Sequence, residues 1–128
     1  MASLAPVTDH AHGADTLAAL SPQTKALRAL IPEVYSGFAQ LAGAAYADGA
    51  LPKKFKELVA LAIGVVEQCD GCIASHAKGA VRAGATREEA AELIGVVIAM
   101  RGGPATVHGP RAFDVFCEFA DAAAAKAD

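Results

Sequence analysis

Tryptophan is absent from this chain, and aromatic residues are scarce, with two tyrosines and five phenylalanines among 128 residues. The core must be filled by small aliphatic side chains instead. Alanine-rich sequence poor in β-branched residues favours helices that pack closely. Nor is there an excess of positive charge. Eleven Lys and Arg stand against fourteen Asp and Glu, a formal charge of −3, so there is no sign of the basic face that nucleic acid requires. No segment reaches the roughly 18 consecutive apolar residues of a membrane-spanning helix. The first basic residue is Lys25, and Asp9 and Asp15 interrupt the N-terminal stretch, which does not read as a secretory leader. These absences predict a cytoplasmic protein. In that compartment a Cys-x-x-Cys pair is more often catalytic or metal-binding than a structural staple.

Apolar residues, by contrast, make up 54% of the chain. The length suits one domain with one core, and so much apolar residue predicts burial between subunits as well. Residues 1–20 show no sustained period and read as a flexible arm, with His10 and His12 as solvated side chains rather than a chelating pair. Residues 21–128 read as one helical domain of about six helices. Ser21-Pro22 is a helix start, and that helix runs to about Ile31. Pro32 restarts the chain into a second helix with Val34, Phe38, Leu41 and Ala45 on one face, closed by Asp48-Gly49. The run Leu58–Val66 is apolar except at Gly64 and shows no alternation, which predicts a helix buried on most sides. A fourth helix begins at the cysteines and ends at Gly84. Thr86 and Glu89 form a capping box before a fifth, with Ala90, Leu93, Ile94, Val97 and Ile98 on one face. After Gly102-Gly103-Pro104, a last helix from about Ala105 to Lys126 turns Ala112, Phe113, Phe116, Phe119 and Ala120 to the core.

The chemistry concentrates at the start of the fourth helix. A helix N-terminus stabilises a thiolate, and the spacing of Cys69 and Cys72 brings both sulfurs onto one turn, close enough for a disulfide. His76 lies one turn beyond Cys72 on the same face, where an imidazole can take the thiol proton. Glu57, at the edge of the apolar run, is the best candidate to orient that imidazole, because a carboxylate drawn into such a helix needs a partner. The helix spacing alone does not guarantee their contact. Other readings stand beside these. The cysteines can be small buried hydrophobes, or Cys69, Cys72 and His76 can be three zinc ligands completed by His108 or Cys117. Glu57 can pair at the surface with Lys53 or Lys54. Lys53, Lys54 and Lys56 read as a solvated charge run, Cys117 as packing, and His108 and Arg111 as residues able to line a pocket near the cysteines.

The pattern Glu57-x11-Cys69-x2-Cys72-x3-His76, with the Gly84-Ala85-Thr86 turn and the stretches EEAAELIGVVIAM and GGPATVHGPRAF, resembles the AhpD-like alkyl hydroperoxidases of the carboxymuconolactone decarboxylase superfamily over about Pro32 to Ala120. The resemblance implies an all-α fold, assembly as trimers or hexamers, and a thiol-dependent peroxidase or disulfide reductase with no metal or organic cofactor. Cys72 attacks the peroxide, Cys69 resolves the sulfenic acid, Glu57 and His76 relay the proton, and an external dithiol system regenerates the pair. In one respect the chain departs from the pattern. Well-studied members carry a second histidine between the cysteines, and Gly71 stands there in this chain. Two alternatives remain: a decarboxylase-type enzyme acting on a carboxylated lactone, for which the cysteine pair is unnecessary, and a non-catalytic redox sensor.

Overall fold

In a computed structural model that describes residues 12–127, the chain forms six helices, with no strand among the described residues: α1 (His12–Leu30), α2 (Pro32–Tyr46), α3 (Lys53–Val66), α4 (Asp70–Arg82), α5 (Arg87–Arg101) and α6 (Gly103–Ala127). The all-α expectation holds. None of these helices is long and apolar enough to cross a membrane.

Local signals set most boundaries. Thr86 caps α5 by accepting from the Glu89 amide, while Glu89 accepts from the Thr86 amide, completing the capping box. Gly84, at φ +93°, closes α4 in the left-handed conformation that glycine adopts without penalty. The turn between α3 and α4 uses the same device with a less obliging residue. Gln68 takes φ +55°, its amide bonds to the Val65 carbonyl at 3.1 Å, and the Cys69 amide bonds to Gly64 at 3.0 Å. These crossed bonds satisfy the last carbonyls of α3 and deliver Cys69 to the start of α4.

The core is built from α3, α4, α5 and α6. Leu61, Val65 and Phe116 are its largest fully buried side chains, and Ala77, Ala80, Ala90 and Ala112 lie among them without exposure. Alanine at these contacts lets helix axes approach closely. The predicted core faces of α5 and α6 are observed: Ala90, Ile94, Val97, Ala112 and Phe116 are buried, and Leu93, Ile98, Phe113, Phe119 and Ala120 pack against them.

Two expectations are corrected, for residues 12–20 and for α3, and the apolar face of α2 is found open. Residues 12–20 are not an arm. They are the first half of α1, and Pro22 lies inside that helix rather than at its start. The cause is tertiary: the Glu118 carboxylate on α6 accepts the Gly13 amide at 2.9 Å and the Ala14 amide at 3.1 Å, and so caps α1 from another helix. A side chain at Gly13 would meet Phe119, Val115 and Glu118 within 2.9 Å, so glycine permits the approach. Residues 1–11, including His10, lie outside the described residues. Helix α2 buries none of its residues, and Val34, Phe38 (67% exposed) and Leu41 face outward. Nor is α3 buried on most sides. Phe55, Val59, Ile63 (57% exposed) and Val66 form an open stripe at helical spacing.

Candidate active site

Cys69 and Cys72 are joined in a disulfide, with Cα atoms 5.2 Å apart. Cys69 occupies the N-cap position of α4, and its sulfur accepts the Cys72 amide at 3.2 Å. The N–H groups of a first helical turn favour negative charge, so this position stabilises a thiolate once the bond is reduced. Cys72 is exposed and Cys69 half-buried. At Gly64 the two helices nearly touch: an added Cβ would lie 3.3 Å from the Cys72 Cβ and from the Ile73 nitrogen. That contact holds the first turn of α4 against α3.

The Glu57–His76 contact, which spacing left open, is made. The Glu57 carboxylate lies 2.8 Å from His76 Nδ1. Glu57 is buried, at 8% exposure. Its carboxylate rests on the backbone of α4 at Gly79, where an added Cβ would come within 2.6 Å of Oε2 and 2.9 Å of Oε1. Any side chain at 79 would expel the carboxylate. The alternative pairing of Glu57 with Lys53 or Lys54 is not seen. Lys54 instead meets Glu89 at 2.9 Å, and the Lys56 ammonium donates to the Ala47 carbonyl.

With Nδ1–H donated to Glu57, a neutral His76 keeps its lone pair on Nε2, the nitrogen of a general base. A residue the motif did not include stands there. The Tyr46 hydroxyl, at the end of α2, is 3.5 Å from His76 Nε2, with ring centroids 5.4 Å apart. At that length the contact is weak, and it strengthens only on closing. Burial, and then the Glu57 charge, hold the Tyr46 hydroxyl above the ordinary phenol range, so it remains a proton donor. Only its place beside the Asp48-Gly49 break hinted at it in the sequence, as a helix-terminal aromatic next to a turn. The position of the missing second histidine is crowded by one side chain. An added Cβ at Gly71 would lie 3.0 Å from Leu20 Cδ1, so α1 covers that side of the cysteine turn.

The remaining candidates separate. Cys117 is buried and free on α6, and burial raises its thiol pKa against the opposing pull of Arg87, as befits a packing residue. The donors weighed for zinc do not converge: among the described residues no three His, Cys, Asp or Glu side chains are arranged to hold a metal ion. His108 and Arg111 line a cavity of about 670 Å³ that also reaches Asp70 and Ile73 at the start of α4. They therefore adjoin the start of α4, next to the cysteine turn. His108 Nδ1 is buried with no hydrogen-bond partner among the described residues. His12 begins α1 with Nε2 4.0 Å from Asp114.

Comparison with known proteins gives the family of the chain. The chain is 46% identical over 81 residues to the uncharacterised protein 4 of the cox locus of Paracoccus denitrificans, covering 63% of this chain and 73% of that one. It is 38% identical over 100 residues to an uncharacterised protein of Cupriavidus necator, covering 78% and 88%. The crystal structure of a carboxymuconolactone decarboxylase family protein from Legionella pneumophila, 40% identical, superposes with a TM-score of 0.83 over 86% of this chain and 98% of that one. The model of the carboxymuconolactone decarboxylase family matches residues 32–115, from the start of α2 into α6. Both cysteines, Glu57, His76 and Tyr46 fall inside that span, and by sequence and by fold the chain belongs to the carboxymuconolactone decarboxylase family.

Proposed function

We propose that the protein is a thiol-dependent oxidoreductase of the alkyl hydroperoxidase type. The observation that carries this reading is the 2.8 Å Glu57–His76 contact one turn beyond a Cys-x-x-Cys pair at a helix N-terminus. In the reduced state His76 Nε2 takes the Cys72 proton, and the Cys72 thiolate attacks the terminal peroxide oxygen. The O–O bond breaks, the imidazolium returns its proton to the departing alkoxide, and an alcohol leaves. The Cys69 thiolate attacks the sulfur of the Cys72 sulfenic acid, a proton joins the departing hydroxide, and water and the disulfide result. One thiol of an external dithiol then attacks the exposed Cys72 sulfur and expels Cys69, whose thiolate the α4 N-terminus stabilises as a leaving group; the second thiol attacks the mixed disulfide, releases Cys72 and leaves the dithiol as its own disulfide. Two electrons pass from dithiol to peroxide per cycle.

Peroxide consumption with a small dithiol as reductant tests this. The parent protein is expected to turn over, and Cys72→Ser to lose all turnover. Equal turnover in both would remove Cys72 from the chemistry. The family name favours a second reading, a decarboxylase acting on a carboxylated lactone; in that case His76→Ala abolishes activity and Cys72→Ser does not.

The open apolar faces of α2 and α3 support assembly as a trimer or hexamer. Val34, Phe38 and Leu41 on one helix and Val59 and Ile63 on the next are large apolar side chains exposed in a single chain, and exposed apolar surface on that scale marks interaction sites. Sedimentation velocity is expected to give a species several times the 12.9 kDa chain mass, and Phe38→Glu to shift it toward monomer. A monomeric parent would refute the assembly.

A further inference from the structure

Three cations gather where the proposed relay has no use for them. A concavity of about 450 Å³ opens between α1, α3 and α4, and Lys53, Lys78, Arg82, Ser75 and the buried Glu57 line it, with Leu17 of α1 at its edge. Of the predicted charge run Lys53–Lys56, two members are engaged elsewhere: Lys54 with Glu89 and Lys56 with Ala47. Lys53 engages only through its backbone amide, bonded to Asp48 at 2.7 Å. The side chains of Lys53, Lys78 and Arg82 have no partner among the described residues. The one acidic side chain in the concavity, Glu57, has its Oε2 committed to His76. A chain with a net charge of −3 therefore sets three cations against a single carboxylate around one concave site. Like charges lining one concavity repel, and an anion bound among them relieves that repulsion.

We propose that this concavity binds the anionic group of a small molecule, a carboxylate or a phosphate. Arg82 supplies a planar fork suited to two oxygens of either group. Lys53 from α3 and Lys78 from α4 supply point charges, and the Ser75 hydroxyl a further donor. Gly79 rather than His76 lines the site, so an anion held by the three cations, which outnumber the Glu57 carboxylate, leaves the imidazole uncovered. Lys78 is six residues beyond Cys72, about 9 Å along the helix at 1.5 Å per residue. The anion is thus held away from the sulfur, and the inference stands whether or not the cysteines carry peroxide chemistry.

Calorimetric titration of the full chain with inorganic phosphate, and separately with succinate, tests the site. One saturable site per chain is expected for at least one of them, and the Lys78→Gln/Arg82→Gln double variant is expected to lose at least tenfold in affinity. Lys53→Gln alone is expected to weaken binding severalfold, and it decides the matter if the double variant fails to fold. Tighter binding of phosphate assigns a phosphoryl ligand, and tighter binding of succinate a carboxylate. No saturable binding of either anion, or affinity unchanged in the folded variants, overturns the proposal. Lys126→Gln, remote on the last turn of α6, is the control and should bind as the parent does.

Discussion

Glu57→Gln is expected to lower peroxide turnover roughly 100-fold, within the range by which a positioned acid–base group contributes. Glutamine has nearly the shape of glutamate, so it fits above Gly79, and its amide oxygen can still accept from His76 Nδ1. What it cannot supply is the negative charge that stabilises the imidazolium formed when His76 takes the Cys72 proton. It can also flip to present its NH₂ to Nδ1, favouring the tautomer whose Nε2 carries the hydrogen and cannot act as a base. The loss should appear equally in the alkylation rate of reduced Cys72 near neutral pH, a measurement independent of the peroxide chosen. Tyr46→Phe is the comparison: its hydroxyl is 3.5 Å from Nε2, so a severalfold change at most is expected. Turnover and alkylation both unchanged in Glu57→Gln would show that the buried carboxylate has only a structural part.

Glu118→Ala is expected to destabilise the protein by about 3 kcal/mol, the scale for losing a charged acceptor that serves one buried and one part-buried amide. For a chain of this size that lowers Tm by roughly 10 °C. Glu118 is buried and accepts the Gly13 and Ala14 amides, on which the observed start of α1 depends. Its loss leaves the buried Gly13 amide without its acceptor, against the side chains of Val115 and Phe119, while the exposed Ala14 amide can turn to water. The effect should be local. Hydrogen exchange is expected to accelerate through the first half of α1, while α3 to α6, which hold the buried cluster, keep their protection. Because Leu20 of α1 covers Gly71, alkylation of the reduced cysteines should also become faster. Uniform loss of protection would mean that Glu118 supports the core rather than pinning α1.

Most of the helices were legible because their signals are local. The Thr86–Glu89 capping box, the glycine after α4 and the 3.6-residue spacing of Ala90, Leu93, Ile94 and Val97 act within a few residues of each other, and each appears where the spacing puts it. The apolar face of α2 was equally legible as a face, but not in what it meets. Periodicity reports that Val34, Phe38 and Leu41 share a side of the helix, and in this single chain that side faces outward. The start of α1 was misplaced for the opposite reason. Ser21-Pro22 is a sound local start, and it was overridden by a carboxylate 105 residues away in sequence from Gly13.

The sequence by itself determined the helical class, the family motif and the placing of Cys69 and Cys72 on one turn with His76 a turn beyond, since bond geometry and helical pitch leave little freedom over so short a span. The tertiary structure alone decided that Glu57 meets His76, that Tyr46 stands at the free imidazole nitrogen, that Leu20 takes the space beside Gly71 and that Lys53, Lys78 and Arg82 surround one concavity. Each of these joins residues on different helices. Their meeting depends on how closely α1, α2, α3 and α4 approach, and that distance is set by the small residues at their contacts, Gly64 and Gly79 above all. A missing side chain shapes such a contact as strongly as a present one, and no local spacing encodes which helix will use the room.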